Sequence, residues 1–315
     1  MAKKILIMLM LLFTIFTNNS FTQTIPLSLK NIFKPEQPIK DNINIKWLPN
    51  GNSYLIYKGR RIEKHNLDNK QENLYNKKDL TKAFLKIGMP QKHVNLLIQN
   101  MAFYHWDQPH SSFVVDNLNN LFYYSLVKKN ALKLTCKRAF REEIDFSPDS
   151  NFVSFIKNNN LYIIDVKKAK TEQLTFGGND NVLNGKLDWV YQEEIYGRYN
   201  FRGYWWSPDS KYIAFLQSDT SKVDEFPIVD NITYKAKLLK MKYPKAGANN
   251  SIVRLGIINI KNKKIRWIEN YDPANLLYVS VSWTPESKFL VYQLQNREQT
   301  WLDLNLVKVE TGEQE

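Results

Sequence analysis

The 315-residue chain is 43% hydrophobic and 24% charged, which excludes a disordered or low-complexity protein and leaves room for one large or two average domains. Its net charge is +13. The cations are mostly lysines scattered through turns such as Lys167-Lys168 and residues 261–264, with no basic stripe or nucleic-acid motif, so we expect a solvated basic surface and no nucleic-acid partner.

A single cysteine, Cys136, excludes an internal disulfide framework. The four histidines fit no metal-ligand spacing, so no metal and no cofactor is expected. The 17 Tyr, 17 Phe and 8 Trp suit pleated, half-buried surfaces and favour an all-β chain.

Residues 1–22 read as a secretory signal peptide. Lys3 and Lys4 form its basic start, residues 5–16 an apolar core too short to span a bilayer, and Ser20 and Thr22 the small residues before a cleavage point at Gln23. The mature protein is therefore expected to be exported, periplasmic or extracellular, with an uncleaved membrane anchor as the alternative. Residues 23–40 read as a linker.

From residue 41 onward one unit recurs. Trp47-Leu-Pro-Asn-Gly, Phe146-Ser-Pro-Asp-Ser, Trp206-Ser-Pro-Asp-Ser and Trp283-Thr-Pro-Glu-Ser are each followed by an alternating apolar segment, and a weaker copy begins at Trp106 with Pro109. Proline presets the turn, the acid or Asn beside it bonds the turn backbone, and the alternation marks a strand with one face in a core and one outward. Each copy is a hairpin start. The five prolines, at 49, 109, 148, 208 and 285, are spaced by one propeller blade of roughly 40–50 residues, or by a blade with an insertion.

Residues 78–100 interrupt this rhythm. Leu80, Phe84, Leu85, Ile87, Val94, Leu96, Leu97 and Ile98 have helical spacing and Pro90 divides them, so two short helices inserted at a blade rim are expected, packed on strands or docking a partner. Elsewhere strands and Lys-rich turns alternate as a meander, with no βαβ rhythm. The expected fold is all-β: a partial β-propeller of about five four-stranded blades over residues 41–315, with this helical insertion. An arc that stops there would leave strand edges open, so the chain is expected to be part of a longer protein.

The most informative stretch is residues 187–219, Leu-Asp-Trp-Val-Tyr-Gln-Glu-Glu-Ile-Tyr and onward to the third of the strong repeats. It sets the adjacent carboxylates Glu193 and Glu194 among Tyr191, Tyr196, Tyr199, Trp205 and Trp206. Two carboxylates can accept two of the three N–H groups of an ammonium and cancel its charge, and aromatic walls strengthen the attraction. The plain alternative is a solvated helical turn. Neighbouring acids do not have the spacing of a glycosidase pair.

This stretch resembles the DWVYEEE signature of the dipeptidyl peptidase IV family, and Tyr243-Pro-Lys-Ala-Gly-Ala248 has the same family look. Gln192 stands where the signature has its first Glu. The resemblance implies an eight-bladed N-terminal propeller in which Glu193 and Glu194 hold the amino terminus of a peptide, Xaa-Pro or Xaa-Ala. It makes Asp188, Trp189, Tyr191 and Tyr196 supporting residues.

It also implies a serine hydrolase domain after the propeller, and a homodimer built partly through a propeller extension. A substrate-binding arginine would come from an earlier blade. Residues 101–128 contain none, and Arg138 and Arg141 lie closest in sequence. The nucleophile elbow Gly-x-Ser-x-Gly does not occur, so no catalytic residue is expected in this chain. The competing expectation is a non-catalytic periplasmic propeller that binds or assembles other molecules.

Overall fold

The computed structural model describes residues 44–314 except 59, 69, 136–137, 233 and 270–271. The leader, the linker and Cys136 lie outside the described residues.

Five antiparallel sheets follow one another along the described chain. The first is β1 (Asn44–Trp47), β2 (Ser53–Lys58), β3 (Arg61–Asn66) and β4 (Gln71–Asn73), paired in chain order. The second repeats this with β5 (His105–Trp106), β6 (Ser112–Asn117), β7 (Asn120–Ser125) and β8 (Asn130–Lys133). The third does so with β9 (Glu142–Phe146), β10 (Phe152–Lys157), β11 (Asn160–Asp165) and β12 (Lys170–Gln173).

The fourth sheet contains β13 (Val182–Asn184), β14 (Tyr204–Trp206) and β15 (Tyr212–Asp219). A separate hairpin of β16 (Glu225–Asp230) and β17 (Lys237–Lys242) intervenes before β18 (Ile252–Asn259) and β19 (Ile265–Trp267) complete the sheet. The fifth is β20 (Leu276–Trp283), β21 (Phe289–Asn296) and β22 (Leu302–Lys308). These are the blades of a partial propeller, and the first strand of each ends on a repeated aromatic.

The repeated turn has a concrete geometry. In the third blade Ser147 Oγ donates to the Asp149 carboxylate at 2.6 Å and accepts the Phe152 N–H at 2.9 Å. Ser150, at φ 59°, donates its N–H to the Ser147 carbonyl at 2.9 Å. Ser207, Asp209, Ser210 and Tyr212 reproduce this arrangement in the fourth blade.

The same turns link the blades. The Asp149 N–H donates to Ser210 Oγ at 3.0 Å, and the Asp209 N–H donates to Ser287 Oγ at 3.0 Å. In the second blade Pro109 occupies the corresponding position and has no N–H to give. There Ser150 Oγ donates instead to the buried Asp107 carboxylate at 3.2 Å.

The core lies mainly between blades. The alternation of the middle strands places both faces in cores, not one inside and one outward. On β10, Val153 and Phe155 pack with Val114 and Leu121 of the second blade, whereas Ile156 packs with Tyr204, Ile213 and Phe215 of the fourth. On β15, Ile213 and Phe215 face the third blade while Ala214 and Leu216 face the fifth. A period of two thus deals successive side chains to opposite neighbours. The Trp206 indole N–H donates to Ser154 Oγ of the third blade at 2.9 Å, and that of Trp283 to the Trp205 carbonyl at 3.1 Å.

The helical excursion forms as expected, as α1 (Lys77–Lys86) and α2 (Gln91–Gln99) on either side of Pro90. Asn76 caps α1 by accepting the Lys78 N–H at 2.8 Å. Leu80, Phe84, Val94 and Leu97 pack on Phe113, Phe122 and Tyr124 of the second blade. Leu85 and Leu96 remain exposed, so the apolar stripe is wider than the sheet covers.

The first two blades meet through His110. Its Nε2 lies 3.0 Å from the Tyr57 hydroxyl and its Nδ1 3.3 Å from the Gln108 carbonyl. The ring fits as a neutral tautomer with Nδ1–H donating and Nε2 accepting. Burial, aided by the Lys46 ammonium, pushes its pKa down to about 4. The folded protein keeps this ring neutral while the unfolded chain takes up a proton below about 6.5. Stability present above that pH is therefore lost as pH falls from about 6.5 to 4, by about 3 kcal/mol from this residue. Denaturant titrations across that window should show the loss, and His110→Asn, which tolerates the local φ of 53°, should flatten it. An unchanged slope in the variant would refute the assignment.

Candidate functional site

The stretch singled out in the sequence interrupts the first strand of the fourth blade. β13 pairs with residues 217–219 of β15 and β14 with residues 213–215, so both halves share one partner. Residues 185–203 leave the sheet between them as a stem and loop. The stem is antiparallel: Leu187 N–H donates to the Phe201 carbonyl at 2.8 Å, Lys186 bridges Arg202, and Gly203 N–H donates to the Gly185 carbonyl at 3.0 Å. At the neck, Leu216 N–H donates to the Gly203 carbonyl at 2.8 Å and its own carbonyl accepts the Gly185 N–H at 2.8 Å. A Cβ on Gly203 would stand 2.9 Å from Leu187 Cδ2, so glycine permits this close approach.

The loop carries a short helix that ends in the π-turn Tyr191–Ile195. Tyr196 N–H donates to the Tyr191 carbonyl at 2.8 Å, five residues back. Such turns occur mostly as single-turn bulges in helices, frequently at functional sites. Asp188 starts the helix, its Oδ1 accepting the Tyr191 N–H at 3.0 Å. Its Oδ2 accepts the hydroxyl of Ser251, the residue before β18. Burial raises the Asp188 carboxyl pKa, and the Ser251 and Tyr191 donors act against that rise.

Two further side chains brace the helix. The Trp189 ring meets Tyr243 edge-on, with centroids 4.4 Å apart, so the two sequence blocks that carry the family resemblance touch. Tyr191 is buried, and its hydroxyl accepts the Tyr278 N–H of the fifth blade at 3.1 Å. Burial raises its phenol well above the ordinary value. Tyr196 packs on Tyr191 and Trp205 with centroids 6.2 and 5.6 Å away. Its buried hydroxyl has no hydrogen-bond partner among the described residues, and burial raises its pKa.

On this braced turn sit Glu193 and Glu194. Glu193 Oε1 is 2.6 Å from Arg198 Nε; the glutamate side chain is 19% exposed and the arginine 70%. Glu194 is exposed and forms no ion pair with a described residue. Gln192, also buried, accepts the Tyr199 N–H at 3.0 Å. Together with left-handed backbone at Gly197 (φ 99°) and Tyr199 (φ 69°), that bond folds residues 197–200 back over the helix.

The structure thus brings Asp188, Trp189, Tyr191, Glu193, Glu194 and Tyr196 together on one element. Trp206 belongs elsewhere, in the interface with the third blade. Arg141 donates to the carbonyls of Asn119 and Ala139 at 2.9 and 2.8 Å and lies over Phe155, where it ties the second blade to the third. Sequence reasoning missed Arg198 and Ser251, and it noted Gln192 only as a departure from the signature. Only Gly197, a turn signal, hinted that the chain doubles back there. Among the described residues no group of three His, Cys, Asp or Glu is placed to hold a metal, and no helix is long and apolar enough to cross a membrane.

Comparison with known proteins gives a consistent result. The family described as the dipeptidyl peptidase IV (DPP IV) N-terminal region matches residues 99–315. A probable dipeptidyl-aminopeptidase B of Talaromyces marneffei is 35% identical over 185 residues, covering 53% of this chain and 20% of the relative. Its counterpart in Talaromyces stipitatus is 36% identical over 168 residues, covering 49% and 18%. The crystal structure of Porphyromonas gingivalis dipeptidyl peptidase 4 superposes with a TM-score of 0.71 at 22% identity, over 87% of this chain and 39% of that one. That similarity shows the fold. The chain spans about a fifth of the length of the fungal relatives.

The bracing has a measurable consequence. Asp188→Ala removes the cap and leaves Ser251 without its acceptor, and should cost about 2 kcal/mol in denaturant unfolding. Asp188→Asn retains an acceptor for the Tyr191 N–H and should cost less. Equal losses in the two variants would mean that the cap contributes nothing.

Proposed function

This chain belongs to the family of dipeptidyl peptidase IV N-terminal regions, and on that premise we propose that it is the substrate-reading and gating propeller of an exported serine dipeptidyl peptidase. In this reading Glu193 and Glu194 bind the free amino terminus of a peptide. The scissile bond after the second residue is thereby placed at a serine in a separate hydrolase domain, which releases Xaa-Pro or Xaa-Ala dipeptides in the periplasm or outside the cell.

The observation that carries this reading is the acid pair on a one-turn helix braced at Asp188, Trp189 and Tyr191. Solvated acids on a surface helix need no such fixing. An ammonium that must be held in register does, because misplacement of the reacting bond by about 1 Å can cost two orders of magnitude in rate.

The second proposed partner is another copy of the chain, bound through the β16–β17 hairpin. This two-stranded element pairs with no other strand among the described residues. It exposes Val229, Ile232, Tyr234, Leu238 and Leu239, an apolar surface of the kind that marks an interface.

In the protein that joins this propeller to its hydrolase domain, Glu193→Gln combined with Glu194→Gln should lower kcat/KM for dipeptide release by about a hundredfold, the loss of two charge-assisted hydrogen bonds. Unchanged turnover would refute the anchoring role. For the hairpin, Val229 and Leu238 lie directly opposite each other. Replacing both with Glu should shift sedimentation from dimer to monomer, and an unaltered mass would count against this interface.

A further inference from the structure

Glu193 already holds a cation. Arg198 Nε lies 2.6 Å from its Oε1, from a side chain that is 70% exposed. The guanidinium is largely open to solvent, yet the backbone is shaped to deliver it to the carboxylate. Tyr199 sits at φ 69°, a conformation that costs a bulky non-glycine residue about 1 kcal/mol or more. The bond from its N–H to Gln192 Oε1 at 3.0 Å holds that turn. Gly197 at φ 99°, with its carbonyl accepting the Asn200 N–H at 3.0 Å, completes the fold-back.

We infer that Arg198 is a built-in counter-ion that competes with the peptide ammonium for Glu193 and so sets the affinity of the anchoring site. This inference rests on the anchoring reading above and names a residue that tunes it. An exposed guanidinium–carboxylate pair is weak, because solvent screens it and side-chain entropy opposes it. It can therefore yield to a ligand that brings a compact ammonium and places hydrogen bonds on both Glu193 and Glu194. A neutral or blocked amino terminus has no charge with which to displace Arg198. The arginine thus imposes a modest loss of affinity on the free peptide and leaves a blocked one, which does not compete for Glu193, unaffected.

The test is a binding titration of the full chain with Ala-Pro and with N-acetyl-Ala-Pro, followed by NMR at low and moderate salt. Arg198→Gln should tighten Ala-Pro binding about threefold, the effect of releasing one exposed ion pair, and leave N-acetyl-Ala-Pro unchanged. Arg198→Lys, which keeps a cation within reach, should stay near the parent value. Weaker or unaltered Ala-Pro binding in Arg198→Gln, with Glu193→Gln still reducing it, would overturn the counter-ion role and leave the anchor standing. If the parent chain fails to distinguish free from acetylated peptide, or binds neither, the anchor itself fails and the role of Arg198 fails with it.

Discussion

A four-stranded blade has two apolar faces and cannot bury either alone, so everything in this fold depends on how one blade is registered against the next. The contact that fixes this registration is small: a turn N–H of one blade donating into the serine hydroxyl of the following turn, Asp149 to Ser210 and Asp209 to Ser287. The repeat supplies both halves of this contact. Its acid position gives the N–H, its serine position adopts the left-handed conformation that aims Oγ backwards, and the hydroxyl at the position after the aromatic keeps the turn tight. Where proline removes the donor, the buried Asp107 carboxylate takes over as an acceptor and keeps the second and third blades joined.

The candidate site inherits its rigidity from that stack. The helix bearing Glu193 and Glu194 belongs to the fourth blade by covalent connection, yet it is fixed to three other places: Ser251 ahead of β18, Tyr243 after the hairpin, and Tyr278 of the fifth blade. None of these contacts uses the two glutamates. Asp188 and Tyr191 are buried, Glu193 is half-buried against Arg198, and Glu194 is exposed.

How much of this was legible in the sequence depended on range. The turn signature is local chemistry, so the five aromatic–proline units located the end of the first strand in each blade, and the helical pair around Pro90 was visible from its apolar spacing. The three wide proline spacings each correspond to an insertion now seen: α1 and α2, the stem and loop at residues 185–203, and the β16–β17 hairpin. The two-sided burial of β10 and β15 was not legible, because alternation records a period and not what lies beyond the second face. The split of the first strand was also hidden, since β13 and β14 have only three residues each, too few to show a period. The acid pair stood out through family resemblance. Arg198 did not, because its approach to Glu193 depends on a left-handed tyrosine and a glutamine bond that leave no pattern in the chain.

The neck of the insertion has one more implication. Gly185 and Gly203 are hydrogen-bonded to each other and to Leu216, so the chain leaves and re-enters the sheet at nearly the same point. Loop-closure entropy grows only slowly with length, and here the ends are pinned by the sheet whatever lies between them. Outside the buried Leu187, Asp188 and Tyr191, the segment can therefore lengthen or shorten with little penalty to the strands it leaves. A propeller built this way can vary the exposed part of the insertion while the sheet that carries it stays in place.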